Sequence, residues 1–524
     1  MVAVAQNKPD GKAEPKGKEA PSYTLGPIPA GAAELAAADL DRVDLESRPF
    51  VRYVYDREGV KENLQALAST LNYLSRATTV QRPAAVNAHL YRVDLRAFAP
   101  RVDDLNDWIK AWEELRYDPR FSLLVTRDNL DLLKQQGDAL EGLKGQTVRV
   151  LKKERRRVKV QVLPYTWTDG LVYNWEMREQ VVLVREDRKL TLTEADLKDV
   201  DVIRLNPAHL DAGATAFLQE QTGSEAGIVS LPYFVQRSLS QVQGKGLFKE
   251  VYGGLYGAFL GLRKSKRKGQ TDLDLLLDDL GIIGGAKEVF DKRRSDKRVA
   301  VFRSGVTGKP RRVEVLPTIL RVGGIVGITS DPRDDQVDIG NDPIANLVDF
   351  TFAAHEVIFT KSNGHLGFAL FDAQGNLQDE VPFDVANDTT IPHPHTQRLQ
   401  PAIGCIRCHG GDGSDGWKKL DNDVRKLMQY RADIFGDVRN AKGTIPDTLD
   451  RLGGWYAGDP SEELRQARDH FATSVLRATG PWQTSKDQTD VVRLSSNRIG
   501  AIYNFHVYDA VGTDGATMEL GFNV

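Results

Sequence analysis

The sequence predicts an α+β fold assembled from several consecutive parts. Two observations carry this. Leucines and tryptophans recur at three- and four-residue spacing in several stretches, which is the period of an amphipathic helix. In other stretches apolar and charged residues alternate, which is the period of a half-buried strand. With 524 residues, 41 % of them hydrophobic, the chain is long enough for more than one core.

Residues 1–44 read as a tail and lead-in. The polar, Lys/Pro/Gly-rich residues 7–21 carry too little apolar surface to order. Ala3-Val4-Ala5 has the small-x-small form that precedes an export cleavage site, without the basic and long apolar regions of a full signal before it. The expectation is the trailing end of an export signal.

Residues 45–143 read as a helix-rich mixed domain. Leu64, Leu67, Leu71 and Leu74 share a helix face, with Asp56 as the expected cap. "NAHLYRVDLRAF" alternates like a strand. Leu105, Trp108, Ile109, Trp112 and Leu115 form a second apolar helix face, with Asp103 or Asp104 expected to cap it. Residues 144–205 change texture to a small antiparallel β unit, with Asp169-Gly170 between aromatic strands as the hairpin signal. A structural insert is the expected role, with a partner-binding barrel as its alternative.

Residues 206–345 form a mixed region, helical in texture to about residue 280 and strand-rich from Val299. "GGLYGAFLGL", residues 253–262, is the most apolar run; it is too short and glycine-rich to cross a bilayer and is expected to be buried. No other segment is long enough to span a membrane. The acidic residues 330–342 miss the regular calcium-loop spacing and are expected as a solvated loop. Residues 346–450 begin with a β-meander, turning at Asn363-Gly364 and at Gln374-Gly375-Asn376, and residues 415–436 look helical. Residues 451–524 form a C-terminal part of helix and strands. Its best-marked helix has Asp459 as cap, Pro460 at the first position and Gly480 as the stop.

The 70 basic and 73 acidic side chains nearly cancel, for a net charge of −3, and give no electrostatic reason to expect a nucleic-acid partner. The basic clusters at 152–159 and 263–268 are expected as solvated faces.

The chain's only two cysteines stand three apart, followed at once by a histidine: Cys405-Ile406-Arg407-Cys408-His409. This C-x-x-C-H pattern is the attachment signature of a c-type haem. Each sulfur adds to one porphyrin vinyl group, and the adjacent histidine is held under the iron as axial ligand. A structural zinc site would need a fourth ligand from a distant histidine, since no second cysteine pair exists. A thiol–disulfide pair would also use C-x-x-C, but commonly opens a helix in a βαβ context, whereas here a meander leads in and glycines follow. The expectation is one covalent haem c, with Cys405 and Cys408 as thioether positions and His409 as proximal ligand of the iron. In bacteria that attachment is made outside the cytoplasmic membrane, so a periplasmic or cell-surface location is expected.

The sixth ligand stays open. Met428 or His395 are the distal candidates, with His393 beside the latter and Met518 further off; Met177 is the remaining internal methionine. His355 and His365 are expected as packing or surface residues.

The chain resembles a group of large, single-haem, c-type cytochrome-like bacterial proteins of unassigned role. The resemblance rests on "ESRPFVRYVY" with the leucine-rich helix and "LNYLSRA", on "LYRVDLRAF" with the tryptophan helix, and on "RSGVTGKPRRVE". Its most specific part is "EVIFTKSNGHLGFALFDAQGNLQDEVPFDVAND" followed by "LQPAIGCIRCHG". It implies an exported bacterial protein with one haem at Cys405, Cys408 and His409. Residues 145–205 look like an insertion relative to that pattern, and "IPHPHTQRLQPAIG" departs from it just before the cysteines.

The functional expectation is an electron-transfer protein rather than a catalyst with its own substrate. It would exchange single electrons with redox partner proteins, alone or within a membrane-associated complex. Two alternatives remain. One is a haem enzyme or gas sensor with an open distal site, for which His395 with Arg398 would suit peroxide chemistry. The other is a binding scaffold with a structural haem.

Overall fold

The computed structural model describes residues 23, 31–115, 124–126, 147–167, 170–191, 202–204, 212–241, 254–282, 285–289, 298–303, 310–319, 323–332, 352–379, 399–411, 416–417, 461–481 and 490–507. Helices and sheets are both present, and the fold is α+β.

The N-terminal sheet is mixed. Strand β1 (Val51–Tyr55) pairs antiparallel with β3 (Leu90–Asp94), which also pairs with β2 (Ala84–Ala85). On its other edge β1 pairs in parallel with a strand from much later in the chain, Ile228–Ser230. Helix Lys61–Leu74 packs its leucines inward; Leu67, Leu71 and Leu74 are buried. Its N-cap is Val60, not Asp56. The Asp56 carboxylate instead accepts from the Glu58 and Gly59 amides and so holds the turn before the helix. Helix Val102–Glu113 likewise begins after Arg101, so Asp103 and Asp104 lie in its first turn rather than at the cap. There they favour the positive end of the helix dipole, and Asp104 pairs with Arg76 and Arg101. The alternating stretch after residue 87 divides: β3 ends at Asp94, whose side chain accepts from the Arg96 amide and starts the short helix Leu95–Phe98.

The residues expected as a small β unit form a sheet ordered β4-β7-β5-β6, where β4 is Leu124–Thr126, β5 Thr147–Trp167, β6 Gly170–Thr191 and β7 Val202–Arg204. β5 and β6 make one antiparallel hairpin closed by the Trp167–Gly170 pair. The unit is larger than its texture suggested, because the strands run for 21 and 22 residues and β4 comes from the preceding stretch. Helices Ala212–Thr222, Leu231–Ser238, Tyr256–Leu260 and Asp272–Asp279 follow, with Ile228–Ser230 as β8 between the first two. The apolar run at 253–262 is buried through Tyr256, Gly257, Phe259 and Leu260.

The third sheet is a six-stranded antiparallel meander: β9 (Arg298–Arg303), β10 (Pro310–Pro317), β11 (Ile325–Pro332), β12 (Phe352–Thr360), β13 (Leu366–Asp372) and β14 (Leu377–Gln378). Gly364 and Gly375 adopt φ of 85° and 79°, the left-handed conformation that the two expected turns require. The acidic stretch enters this sheet rather than forming only a loop: Ser330, Asp331 and Pro332 end β11, and Asp331 is buried against Arg311. Helix Ser461–Thr479 stops at Gly480 as expected, while Asp459 and Pro460, expected at its start, lie outside the described residues. The helix expected at 415–436 lies outside the described residues, apart from Gly416 and Trp417.

One hydrophobic core draws on residues from both ends of the chain, among them Leu67, Trp108, Phe234, Phe259, Phe368, Ile406, Phe471 and Ile499. The C-x-x-C-H segment is therefore built into the main core.

Candidate haem attachment site

The meander offers two faces, and the cysteine segment lies over one of them. Cross-strand pairing puts Gly327, Ile358 and Phe368 in one row and Thr329, Glu356 and Leu370 in the next. Leu370 packs with Leu399, and Leu399 in turn touches Gly404, where a Cβ would lie only 2.9 Å from Leu399 Cδ1. The Phe368 ring stands 6.1 Å from the His409 ring. The Trp417 indole covers Gly327, where a Cβ would come within 3.0 Å of Trp417 Cζ3. The opposite face of the sheet belongs to His355, hydrogen-bonded to Ser330 at 2.9 Å.

The chain enters the segment through Ala402, the one non-glycine residue with positive φ among the described residues, at φ 66° and ψ −86°. A side chain at such an angle costs conformational energy that its surroundings must offset. A short helix, Ile403–Ile406, and a π-helical turn, Arg407–Gly411, follow. The cysteines therefore sit on a helical turn. The reason is local: Ile406 N–H donates to Ala402 O at 2.7 Å, and Ile403 N–H donates to Leu239 O at 3.2 Å.

Helical spacing sorts the side chains. Ile403, Ile406 and Gly410 turn inward and are buried, while Cys405, Cys408 and His409, at i, i+3 and i+4, share the other side and are half-buried. Gly410 packs on helix Asp490–Val507, where any Cβ would run into Ser496 Oγ. Arg407 clamps the turn to the same helix: its guanidinium bonds Asn504 Oδ1 and lies 5.4 Å from the centre of the Tyr503 ring.

His409 Nδ1 lies 2.6 Å from Gly416 O. A carbonyl only accepts, so Nδ1 carries the proton, and in the neutral form of the imidazole the lone pair is then on Nε2. Trp417 follows directly. Its Nε1–H is buried and meets no acceptor among the described residues, in contrast to Trp108 and Trp112, which donate to Phe259 O and Ala226 O.

The electrostatics weigh against two competing chemistries. Burial pushes the Cys405 thiol well above its ordinary pKa, and nearby Glu356 and Cys408 add to that. A redox-active C-x-x-C pair needs a thiol that ionises easily, and this one resists ionisation. Among the described residues no group of three or more His, Cys, Asp and Glu side chains is gathered for a metal ion, so a four-ligand zinc site is not assembled there. Tyr256, buried beside Cys405, is also held protonated by burial; its hydroxyl accepts from the Phe368 amide at 2.9 Å.

The residues fit a covalently held haem on three counts. The two thiols share one side of the turn with His409, His409 has its lone pair on Nε2, and the site holds an indole donor with no acceptor. Phe368, Gly416, Trp417 and Tyr256 join the three expected residues. Only Trp417, an aromatic residue in the polar glycine-rich stretch after His409, carried any sequence signal. The distal candidates Met428, His395, His393 and Met518, and Arg398 beside them, lie outside the described residues. Met177 is paired with Lys159 in the β5–β6 hairpin. His355 and His365 are both core residues, not surface ones.

No helix among the described residues is long and apolar enough to cross a membrane. No protein family model, curated protein or solved structure matches the chain significantly.

Proposed function

We propose that this chain is a c-type cytochrome that carries one haem and passes single electrons outside the cytoplasmic membrane. Cys405 and Cys408 are its thioether positions and His409 its axial ligand. The observation that carries the reading is the hydrogen bond from His409 Nδ1–H to Gly416 O. A ligating histidine is oriented, and its basicity raised, by such a bond from its other nitrogen.

When bound, the haem supplies the one-electron couple. The protein's part is to hold and shield it. Ile403, Ile406 and the Arg407 clamp fix the turn, Phe368 and Trp417 supply aromatic walls, and Tyr256 stays a neutral phenol beside them. Its partners are redox proteins, recognised by surfaces that the site does not specify.

The test uses protein made in a host that matures c-type haem, with an export signal supplied. Haem staining after denaturing electrophoresis is expected to follow the full-length chain and to vanish in Cys405→Ala/Cys408→Ala. A chain that matures without retaining haem, beside a control cytochrome that does, removes the proposal. The spectrum of the same sample then separates a low-spin carrier, unreactive to carbon monoxide when reduced, from an open-site enzyme.

A further inference from the structure

A buried N–H without an acceptor loses its hydrogen bond to water and gains nothing in return, and such groups are rare in folded proteins. Trp417 Nε1 is one: the residue is 5 % exposed, and no acceptor faces the indole nitrogen among the described residues. The ring cannot relieve this by sliding toward the sheet, because Cζ3 already rests against Gly327. Its place is also fixed along the chain. Trp417 follows Gly416, whose carbonyl holds His409, so the indole and the axial histidine are set by one piece of backbone.

The acceptor that answers this donor has a restricted chemistry. It must be brought to the site, and it must lie near His409. On the reading above, the group bound there is a haem whose two vinyl carbons are taken up by Cys405 and Cys408. The hydrogen-bond acceptors left at the edge of such a macrocycle are its two propionate carboxylates. A carboxylate is also the acceptor that gains most from a buried neutral donor.

We infer that Trp417 is a haem-binding residue whose indole N–H donates to a haem propionate. This inference rests on the c-type haem reading and gives a residue already in the wall of the site a donor's role. Trp417 is thus a group that tunes the cofactor. An N–H donor draws negative charge away from the iron's surroundings, so it favours the reduced state relative to a site without it.

The experiment compares the haem-loaded protein with Trp417→Phe, which keeps an aromatic ring and removes the donor. Covalent haem is checked first by staining a denaturing gel. In haem-loaded W417F the propionate bending band in the resonance Raman spectrum is expected to move, and the midpoint potential to fall. An unmoved band overturns the inference and leaves a water as the acceptor. Should W417F not accumulate with haem, the unsubstituted protein carries the test. Among its seven tryptophans, labelled with ¹⁵N in the indole, one N–H resonance is expected to shift between the oxidised and reduced states; if none shifts, the inference fails. Absence of covalent haem from the unsubstituted protein is a different result, because it removes the c-type reading itself.

Discussion

Two buried polar regions of this molecule are built on opposite principles. Around Asp56 one carboxylate gathers donors from several elements. It receives the Tyr23 hydroxyl at 3.0 Å, Asn63 Nδ2 at 2.8 Å, the Tyr91 hydroxyl at 3.2 Å and the Glu58 and Gly59 amides. Arg498, from the far end of the chain, closes the cluster by bonding Asn63 Oδ1 at 2.7 Å and pairing with Glu58. Around His409 the polar groups are incomplete. Trp417 Nε1 has no acceptor among the described residues. A completed network ties distant parts of a chain together. Incomplete polar groups next to a cofactor signature mark a place where something else completes the chemistry.

The strongest way to break this contrast is to empty the first region. Asp56→Ala leaves the Tyr23 hydroxyl and the Glu58 and Gly59 amides without their acceptor, while Tyr91 and Asn63 keep Ala88 O and Glu58 as second acceptors. We expect a loss of about 3 kcal/mol or more, read from urea midpoints. Folded protein that remains should keep its haem spectrum, because the cluster touches none of the site residues. A changed spectrum would merge the two regions into one.

A second test probes how tightly the C-x-x-C-H turn is seated. Gly410→Ala forces a methyl group into Ser496 Oγ on the helix Asp490–Val507, and overpacking of this kind costs about 1–3 kcal/mol. Covalent haem per chain should fall. Combined with Ser496→Gly it should recover, and a double variant no better than the single one would show that the turn is seated by other contacts.

The third and smallest effect sharpens the contrast through pH. His355, on the face of the meander away from the cysteines, is buried against Ser330, and burial, followed by the charge of Arg312, pulls its pKa down from 6.5 to about 4. The folded state keeps this imidazole neutral while the unfolded chain protonates it below about pH 6.5. Its contribution is therefore complete above that pH and is lost as pH falls from 6.5 toward 4, by about 1.4 kcal/mol per pH unit. His355→Asn should show a shallower loss of stability than the unsubstituted protein between pH 6.5 and 5, read from urea midpoints across that range. Equal slopes would mean that His355 is protonated in the folded state.

Much of this was legible in the sequence, for local reasons. Helix Lys61–Leu74 is announced by its leucine spacing, the meander by its alternation and by glycines at Gly364 and Gly375, and the end of helix Ser461–Thr479 by Gly480. The cap assignments failed at Asp56 and Asp104 because each carboxylate found stronger partners: two tyrosines for Asp56, two arginines for Asp104. Asp331 was misread as a loop acid because its partner Arg311 comes from the neighbouring strand, a pairing that adjacent sequence cannot reveal.

The sequence by itself determined how the two cysteines and the histidine are grouped. Two thiols at i and i+3 and an imidazole at i+4 share one side of a turn whatever surrounds them, because helical geometry is local. Tertiary structure alone decided which side of that imidazole carries the proton, through a carbonyl seven residues on. It also placed the turn on the meander's Phe368 face and left an indole donor waiting beside it. Those outcomes depend on strands and helices far apart in the chain meeting in one core, and no local pattern encodes that meeting.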